Sequence, residues 1–272
     1  MDAANGFLTC DFLTCDVGRY RRHGHGPPVV ILGNPQADPD WWTPPFVAAL
    51  VDAGYEAVTF VHTGPAYAPA GVVRDVVAFV AHLAAGPVRL LGWSQGAAIA
   101  QEVALLRPDL VEAAALVATY GRQNSVDRIL QAASSALDAA GPELDPVRLA
   151  MLLLTSYPPA ALGDDAFVAP MVDAARAWSV RPAEHPEPRR RSAAFITGYQ
   201  ERLDALTGVR VPCLVVGFGQ DADTFVVRAR EVAEAIPGSR YVELPDAGHL
   251  TPVTQPHRVI DPVLAFFADP RP

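Results

Sequence analysis

The sequence contains no lysine, and its charge balance is acidic. The 21 basic residues are all arginine and stand against 30 aspartate and glutamate residues, which gives a formal net charge of -9. An acidic chain without a basic tract lacks the positive surface that binds a phosphate backbone or an anionic membrane. Nucleic acid and membranes are therefore not expected as partners.

Cysteines and long apolar runs are also scarce. The three cysteines (Cys10, Cys15 and Cys213) are odd in number and are not spaced as a metal site. No apolar stretch reaches the roughly 18 residues of a membrane span, and Met1 is followed by Asp2 rather than by a basic and apolar leader. These features predict a cytoplasmic protein, and no metal or organic cofactor is implied.

The composition is that of a folded chain with a large core. Half of the 272 residues are hydrophobic and 19% are charged, which excludes intrinsic disorder. One short repeat stands out, since residues 7–11 (FLTCD) recur at once as residues 12–16. Five residues are too few for a repeat architecture, so we interpret the pair as a local duplication in a first strand or hairpin.

Short apolar runs alternate with helical patterns along most of the chain. The predicted strands are Val29–Leu32, Glu56–Val61, Val88–Trp93, Ala113–Thr119, Pro212–Gly217 and Tyr241–Leu244. The predicted helices are Trp41–Ala53, Val72–Ala85, Gln95–Leu106, Thr224–Ile236 and Val259–Ala268. This rhythm predicts an α/β fold with a mostly parallel central sheet and helices on both faces. Residues 122–207 show helical patterns alone, which predicts a helical segment inserted into a core of residues 1–121 and 208–272.

The most informative motif is Gly-Trp-Ser-Gln-Gly at residues 92–96, which fits G-x-S-x-G. It lies where a predicted strand ends and a predicted helix begins, as a nucleophile elbow must. Gly92 and Gly96 have no Cβ atoms and so allow the close backbone approach of such a turn. Ser94 is the candidate nucleophile, and the backbone N–H of Gln95 is a candidate oxyanion donor at a helix N-terminus.

A serine nucleophile needs a base and an orienting carboxylate. His249 follows the last predicted strand, so its loop returns to the carboxyl edge of the sheet where Ser94 should lie. Asp221 follows the preceding strand, and Asp223 is its competitor for the acid role. The order Ser94, Asp221, His249 is nucleophile, acid, base. The other histidines are His23, His25, His62, His82, His185 and His257.

These motifs resemble those of the α/β-hydrolase superfamily, and the elbow is similar to that of small serine carboxylesterases. The resemblance implies a helical cap and a second oxyanion N–H just after the Gly that follows the third strand, which is Asn34 here. The family usually has His-Gly there, whereas this chain has Leu32-Gly33. A backbone donor does not depend on the lost His side chain, although the packing of the loop must differ.

Substrate contacts are less specific in the sequence. Trp41 and Trp42 either wall the pocket or pack within a helix, and Trp93 stands next to the nucleophile. His62 follows a strand and either lines the pocket or lies in a loop. A small-molecule substrate is the expected partner, and a homodimer is an open alternative.

The expected function is hydrolysis of a small, mostly apolar carboxylic ester through an acyl-enzyme intermediate. Two alternatives stay open. The same fold and triad could tailor a bacterial secondary metabolite by deacylation, perhydrolysis, C–C bond hydrolysis or lyase chemistry. The chain could also be a non-catalytic ligand-binding homologue, an alternative that rests on the altered Leu32-Gly33 loop.

Overall fold

The computed structural model describes residues 12–34, 39–83, 86–180 and 186–270. Within this part of the chain the strands are β1 Leu13–Cys15, β2 Gly18–His23, β3 Pro28–Leu32, β4 Glu56–His62, β5 Val88–Trp93, β6 Val111–Val117, β7 Cys213–Phe218 and β8 Arg240–Leu244. The second copy of the short repeat forms β1, and the first copy lies outside the described residues.

The helices of the described residues surround and interrupt this series of strands. They are α1 Pro39–Trp42, α2 Pro44–Asp52, α3 Pro69–His82, α4 Gln95–Leu106, α5 Ser125–Ala139, α6 Asp145–Ser156, α7 Pro159–Leu162, α8 Asp165–Val180, α9 Pro186–Gly198, α10 Leu203–Leu206, α11 Val226–Ala235, α12 Thr251–Thr254 and α13 His257–Ala268. Short 3₁₀ turns at Pro108–Leu110 and Pro142–Leu144 complete the regular structure. Helices α5 to α10 all lie between β6 and β7.

The strands form one sheet in the order β1-β2-β4-β3-β5-β6-β7-β8. The pairs β1–β2 and β2–β4 are antiparallel, and all pairs from β4 to β8 are parallel. Every residue of β3, β5 and β7 is buried. Strands covered on both faces read as unbroken apolar runs, which explains why they were predictable. The expected α/β fold with a mostly parallel sheet is confirmed.

Alternate residues of the central strands enter two separate cores. Val30 and Leu90 point to the face covered by α3, α4 and α11. Ile31 and Leu91 point to the opposite face, against α2 and α13. The sheet thus holds its parallel strands between two helical layers, and their carboxyl ends meet at one edge.

One helix that was predicted to be continuous is broken in the structure. The segment Trp41–Ala53 forms two helices, α1 and α2, which break at Thr43. Pro44 and Pro45 lack the backbone N–H groups that a continuous helix would use, and proline disfavours the helical conformation of the residue before it.

No helix in the described ranges is both long and apolar enough to cross a membrane.

Candidate active site

Ser94 occupies a strained turn between β5 and α4. Its backbone has φ +56° and ψ −120°, a region that non-glycine residues rarely adopt. The Ser94 N–H donates to the carbonyl of Val117 at 2.8 Å, and the Ser94 carbonyl accepts from the N–H groups of Ala97 and Ala98 at 3.0 and 3.1 Å. These hydrogen bonds fix the turn and place Ser94 in the wall of the main cavity.

The two glycines of the elbow are required by close backbone packing. A Cβ on Gly92 would lie 2.5 Å from Cα of Ala97, and a Cβ on Gly96 would lie 2.0 Å from the carbonyl oxygen of Leu32. The first contact is within the elbow itself. The second brings the start of α4 directly against the end of β3.

His249 and Asp221 meet at the edge where Ser94 lies. Asp221 follows β7 and His249 follows β8, and Nδ1 of the imidazole is 2.8 Å from Oδ2 of the carboxylate. Asp221 also accepts hydrogen bonds from the N–H of Asp223 and from the N–H and hydroxyl of Thr224, at 2.8, 3.0 and 2.7 Å. The side chain of Asp221 is only 1% exposed. Its carboxylate is therefore held in one orientation towards the imidazole.

Asp223 contacts the other nitrogen of the same ring. Its Oδ2 lies 3.2 Å from Nε2 of His249. Within the described part of the chain, the Ser94 hydroxyl makes no hydrogen bond to His249. The imidazole is thus placed between two carboxylates, one on each nitrogen.

The pKa values of the three groups reflect this arrangement. Burial raises the pKa of Asp221, but the His249 imidazole and the bonds from Thr224 outweigh it, so that pKa is lowered. Burial lowers the pKa of His249, but Asp221 and Asp223 outweigh it and raise that pKa to about 9. Burial raises the pKa of Asp223; the attraction of His249 opposes this, but repulsion from Asp221 and Asp127 adds to the effect of burial, so that pKa is raised. Asp223 lines the cavity, and 48% of its side chain is accessible.

The two candidate oxyanion donors lie on the segments that follow β3 and begin α4. Gln95 is the first residue of α4, where the N–H groups lack partners within the helix. Asn34 follows β3 and lines the same cavity as Ser94. The contact of Gly96 with Leu32 sets the distance between the two segments.

The cavity above Ser94 has a volume of about 630 Å³, within the range of small-molecule sites. Much of its wall comes from the helices between β6 and β7 and is apolar, with Leu130, Leu137, Met151, Phe167, Met171 and Ile196. No sequence signal distinguishes these residues, because their helical spacing is equally typical of internal packing.

Three arginines also reach the cavity, but carboxylates neutralise each of them. Arg122 pairs with Glu231, Arg148 pairs with Asp145, and Arg228 pairs with both Glu231 and Asp127. An anionic substrate would have to displace these pairs, so the arginines do not form a ready anion site.

Only some of the predicted substrate contacts lie at the cavity. Trp93 lines it and packs beside His249, with ring centroids 5.6 Å apart. Trp42 is buried and packs on Gly33, where a Cβ would lie 2.8 Å from its ring, so it supports the loop after β3 instead of walling the cavity. The Trp41 side chain lies outside the described part.

His62 is likewise outside the main cavity. Its Nε2 is 2.8 Å from Oδ2 of Asp75, and it borders a void of about 30 Å³ behind Gly33 and Asn34. The structure therefore does not bring His62 to the cavity that Ser94 lines. Its buried Nε2 pairs with a carboxylate on α3.

Sequence reasoning missed one polar contact between the inserted helices and the elbow. The hydroxyl of Ser192, on α9, donates to Oε1 of Gln95 at 2.8 Å, and both side chains are buried. Nothing in the local sequence around either residue signals this pairing. It joins the inserted helices to the residue that follows the candidate nucleophile.

No cluster of three or more His, Cys, Asp or Glu side chains with metal-site geometry occurs in the described ranges.

Known proteins of similar sequence were found at two levels, a family model and individual relatives. The model of the "Alpha/beta hydrolase family" matches residues 23–261. A protein of Mycobacterium tuberculosis named "Putative non-heme bromoperoxidase BpoC" is 33% identical over 257 residues, which span 92% of this chain and 97% of that protein. A protein of Variovorax paradoxus named "Putative carbamate hydrolase RutD" is 28% identical over 253 residues, spanning 87% and 90%.

Solved structures show the same fold. The crystal structure of BpoC from M. tuberculosis H37Rv matches with a TM-score of 0.83 and 29% identity, over 98% of this chain and 99% of that one. The enol-lactonase of Burkholderia xenovorans matches with a TM-score of 0.76 and 20% identity, over 95% and 100%. The second likeness concerns the fold alone.

Proposed function

This chain belongs to the α/β-hydrolase family, and on that basis we propose that it is a serine hydrolase that cleaves a small, mostly apolar carboxylic ester. The observation that carries the proposal is the pairing of His249 with buried Asp221 in the cavity that Ser94 lines. A hydrolase is what the family supports, and the serine mechanism and the ester substrate are our inference.

In the proposed reaction Ser94 is the nucleophile, His249 is the base and Asp221 is the orienting acid. The Ser94 oxygen attacks the acyl carbon while Nε2 of His249 takes its proton. Asp221 stabilises the imidazolium, and the N–H groups of Asn34 and Gln95 donate to the oxyanion. His249 then gives the proton to the departing alcohol. Water, deprotonated by His249, attacks the acyl-enzyme and releases the carboxylic acid and free Ser94.

Because the cavity wall is apolar, we expect the preferred substrates to carry an apolar acyl group. Leucine, methionine and phenylalanine side chains from the inserted helices line it, and methionine adapts to substrates of different shape. Each buried methylene contributes about 0.8 kcal/mol, or about four-fold in binding. We therefore expect kcat/KM to rise with acyl length until the cavity is filled.

The test of the proposed mechanism is covalent labelling of Ser94. A fluorophosphonate probe should modify the wild-type protein at Ser94, as shown by mass spectrometry of the labelled peptide. Ser94→Ala should not be labelled, because the attacking oxygen is absent. The matched control is Ser134→Ala, since Ser134 is another serine of the same cavity, and it should label normally.

Equal labelling of wild type and Ser94→Ala would show that Ser94 is not the nucleophile. Absence of labelling in both, with a ligand still bound in the cavity, would instead favour the non-catalytic homologue.

The site of the acyl group can be tested by filling the cavity. Met151 lines it, so Met151→Trp should shorten the longest p-nitrophenyl ester that is cleaved well. We expect kcat/KM for the longer esters to fall by about four-fold for each excluded methylene, with acetate ester turnover retained.

Leu154→Trp is the matched control, because Leu154 is on the same helix α6 and is 67% exposed. It should leave the chain-length profile unchanged. An unchanged profile in Met151→Trp would place the acyl group elsewhere.

The name of the 33% identical relative supports one second candidate. If hydrogen peroxide replaces water, it attacks the same acyl-enzyme and releases a peracid and free Ser94, and the peracid can then oxidise bromide. Bromide-dependent halogenation in the presence of a carboxylic acid and peroxide, lost in Ser94→Ala, would distinguish this reaction from simple ester hydrolysis.

A further inference from the structure

The second carboxylate on His249 stands at the nitrogen that the proposed reaction needs. Nδ1 faces Asp221 at 2.8 Å and Nε2 faces Asp223 at 3.2 Å. In a Ser-His-Asp site, Nε2 must accept the proton of the serine hydroxyl. Asp223 therefore lies within ion-pair distance of the nitrogen that Ser94 has to use.

Hydrogen bonds in the loop after β7 hold the backbone of Asp223 beside His249. Oδ1 of Asp221 accepts from the N–H groups of Asp223 and Thr224, at 2.8 and 3.0 Å, which folds the chain tightly around the Asp221 side chain. Phe225 follows in a left-handed conformation, with φ +49°. The loop thus directs Asp221 to one nitrogen of the ring and Asp223 to the other.

The imidazole is restrained as well. The Trp93 ring packs beside it, with centroids 5.6 Å apart and an interplanar angle of 36°. The His249 side chain is 9% exposed. The ring that Asp223 faces is therefore held by its surroundings.

The other charges near Asp223 do not compete for it. Asp127, on α5, is of the same sign, and its own partner is Arg228 on α11. Arg228 also pairs with Glu231. Tyr120, after β6, is the remaining titratable neighbour, and burial together with the Asp223 charge raises its pKa, so it stays neutral. Among the described residues, the basic group at ion-pair distance from Asp223 is His249.

We propose that Asp223 is a positioning residue for the base: its carboxylate, which lies beside Nε2 of His249, holds the imidazole in its cationic form and sets the pH at which the site becomes active. This inference rests on the proposed serine mechanism, in which the neutral imidazole is the base. An imidazolium has no lone pair to accept the serine proton. The acid limb of the activity profile therefore lies above that of an ordinary histidine, and removing the Asp223 charge moves it to lower pH.

The first test measures the protonation of His249 without any substrate. The pKa of His249 is followed by NMR of histidine-labelled protein, with the signal assigned by its loss in His249→Gln. An opposite charge at this distance raises a histidine pKa by about 1–3 pH units. Asp223→Asn should lower the His249 pKa by that amount, and Asp223→Ala should do the same without an amide at the site.

Asp246→Asn is the matched control. Asp246 is three positions from His249 in the same loop, but it is exposed and pairs with Arg258. It should leave the His249 pKa unchanged. An unchanged His249 pKa in both Asp223 variants overturns the proposal.

The second test measures reactivity. The rate of fluorophosphonate labelling is recorded against pH, and its acid limb should move to lower pH in Asp223→Asn by as much as the His249 pKa falls in the NMR titration. Below the wild-type limb, labelling should become about ten-fold faster for each pH unit by which the limb moves. A limb that stays in place while the His249 pKa moves overturns the role of Asp223 in activity. Absence of labelling in the wild type at every pH overturns the serine mechanism itself, whereas the NMR result still reports on the contact.

Discussion

Asp221→Asn is expected to lower turnover of an ester substrate by about 10⁴-fold, the cost of removing the orienting carboxylate in comparable triads. Asn keeps the shape of Asp221 and can still accept from the N–H groups of Asp223 and Thr224. Its amide NH₂ would, however, face Nδ1 of His249 and favour the tautomer that carries the proton on Nε2. That tautomer cannot take the proton of Ser94. Plateau values of kcat/KM from full pH profiles measure the effect.

The comparison with Asp223→Asn separates the two carboxylates. Asp221 is 2.8 Å from Nδ1 and buried, whereas Asp223 is 3.2 Å from Nε2 and half-exposed. Asp223→Asn should therefore keep its plateau activity and change only the position of the acid limb. The reverse ranking of the two variants would transfer the role of the acid to Asp223.

The sequence predicted the framework of this site because each part depends on local signals. Unbroken apolar runs and flanking glycines located β5 and α4, whose observed bounds equal those expected. The carboxyl ends of parallel strands meet at one edge, so residues after β5, β7 and β8 could be expected together. The α/β-hydrolase resemblance was confirmed by the family match over residues 23–261. The catalytic roles of Ser94, Asp221 and His249 stay predictions.

The parts that the sequence did not predict depend on how side chains orient within the fold. Asp221 and Asp223 are two residues apart in a loop, and only the bonds from the loop to Asp221 decide which nitrogen each one faces. Trp42 follows the loop after β3 closely enough to suggest a pocket wall, yet its ring packs on Gly33. The partner of Gln95, Ser192, is 97 residues away along the chain. No local pattern encodes any of these choices.

The second large effect is expected at Gly96, where the elbow touches the loop after β3. A Cβ there would lie 2.0 and 2.4 Å from the carbonyl oxygen and carbon of Leu32 and 2.8 Å from the nitrogen of Gly33. These are backbone atoms, so relief of the clash must move the loop that carries Asn34. Gly96→Ala should therefore lose about 1–3 kcal/mol of unfolding free energy through overpacking. It should also lose about 10²–10³-fold in turnover, as expected for one misplaced oxyanion donor.

Gly163→Ala is the matched control for this change. Gly163 directly follows α7 with φ −80°, and a Cβ there would meet its nearest atom at 3.5 Å, an ordinary contact. Urea unfolding and ester turnover of the two variants measure stability and activity separately. Wild-type stability and turnover in Gly96→Ala would show that the loop after β3 adjusts without cost. Lost stability with unchanged turnover would show that the position of Asn34 is independent of the Gly96 contact, because a displaced donor must slow the step that forms the oxyanion.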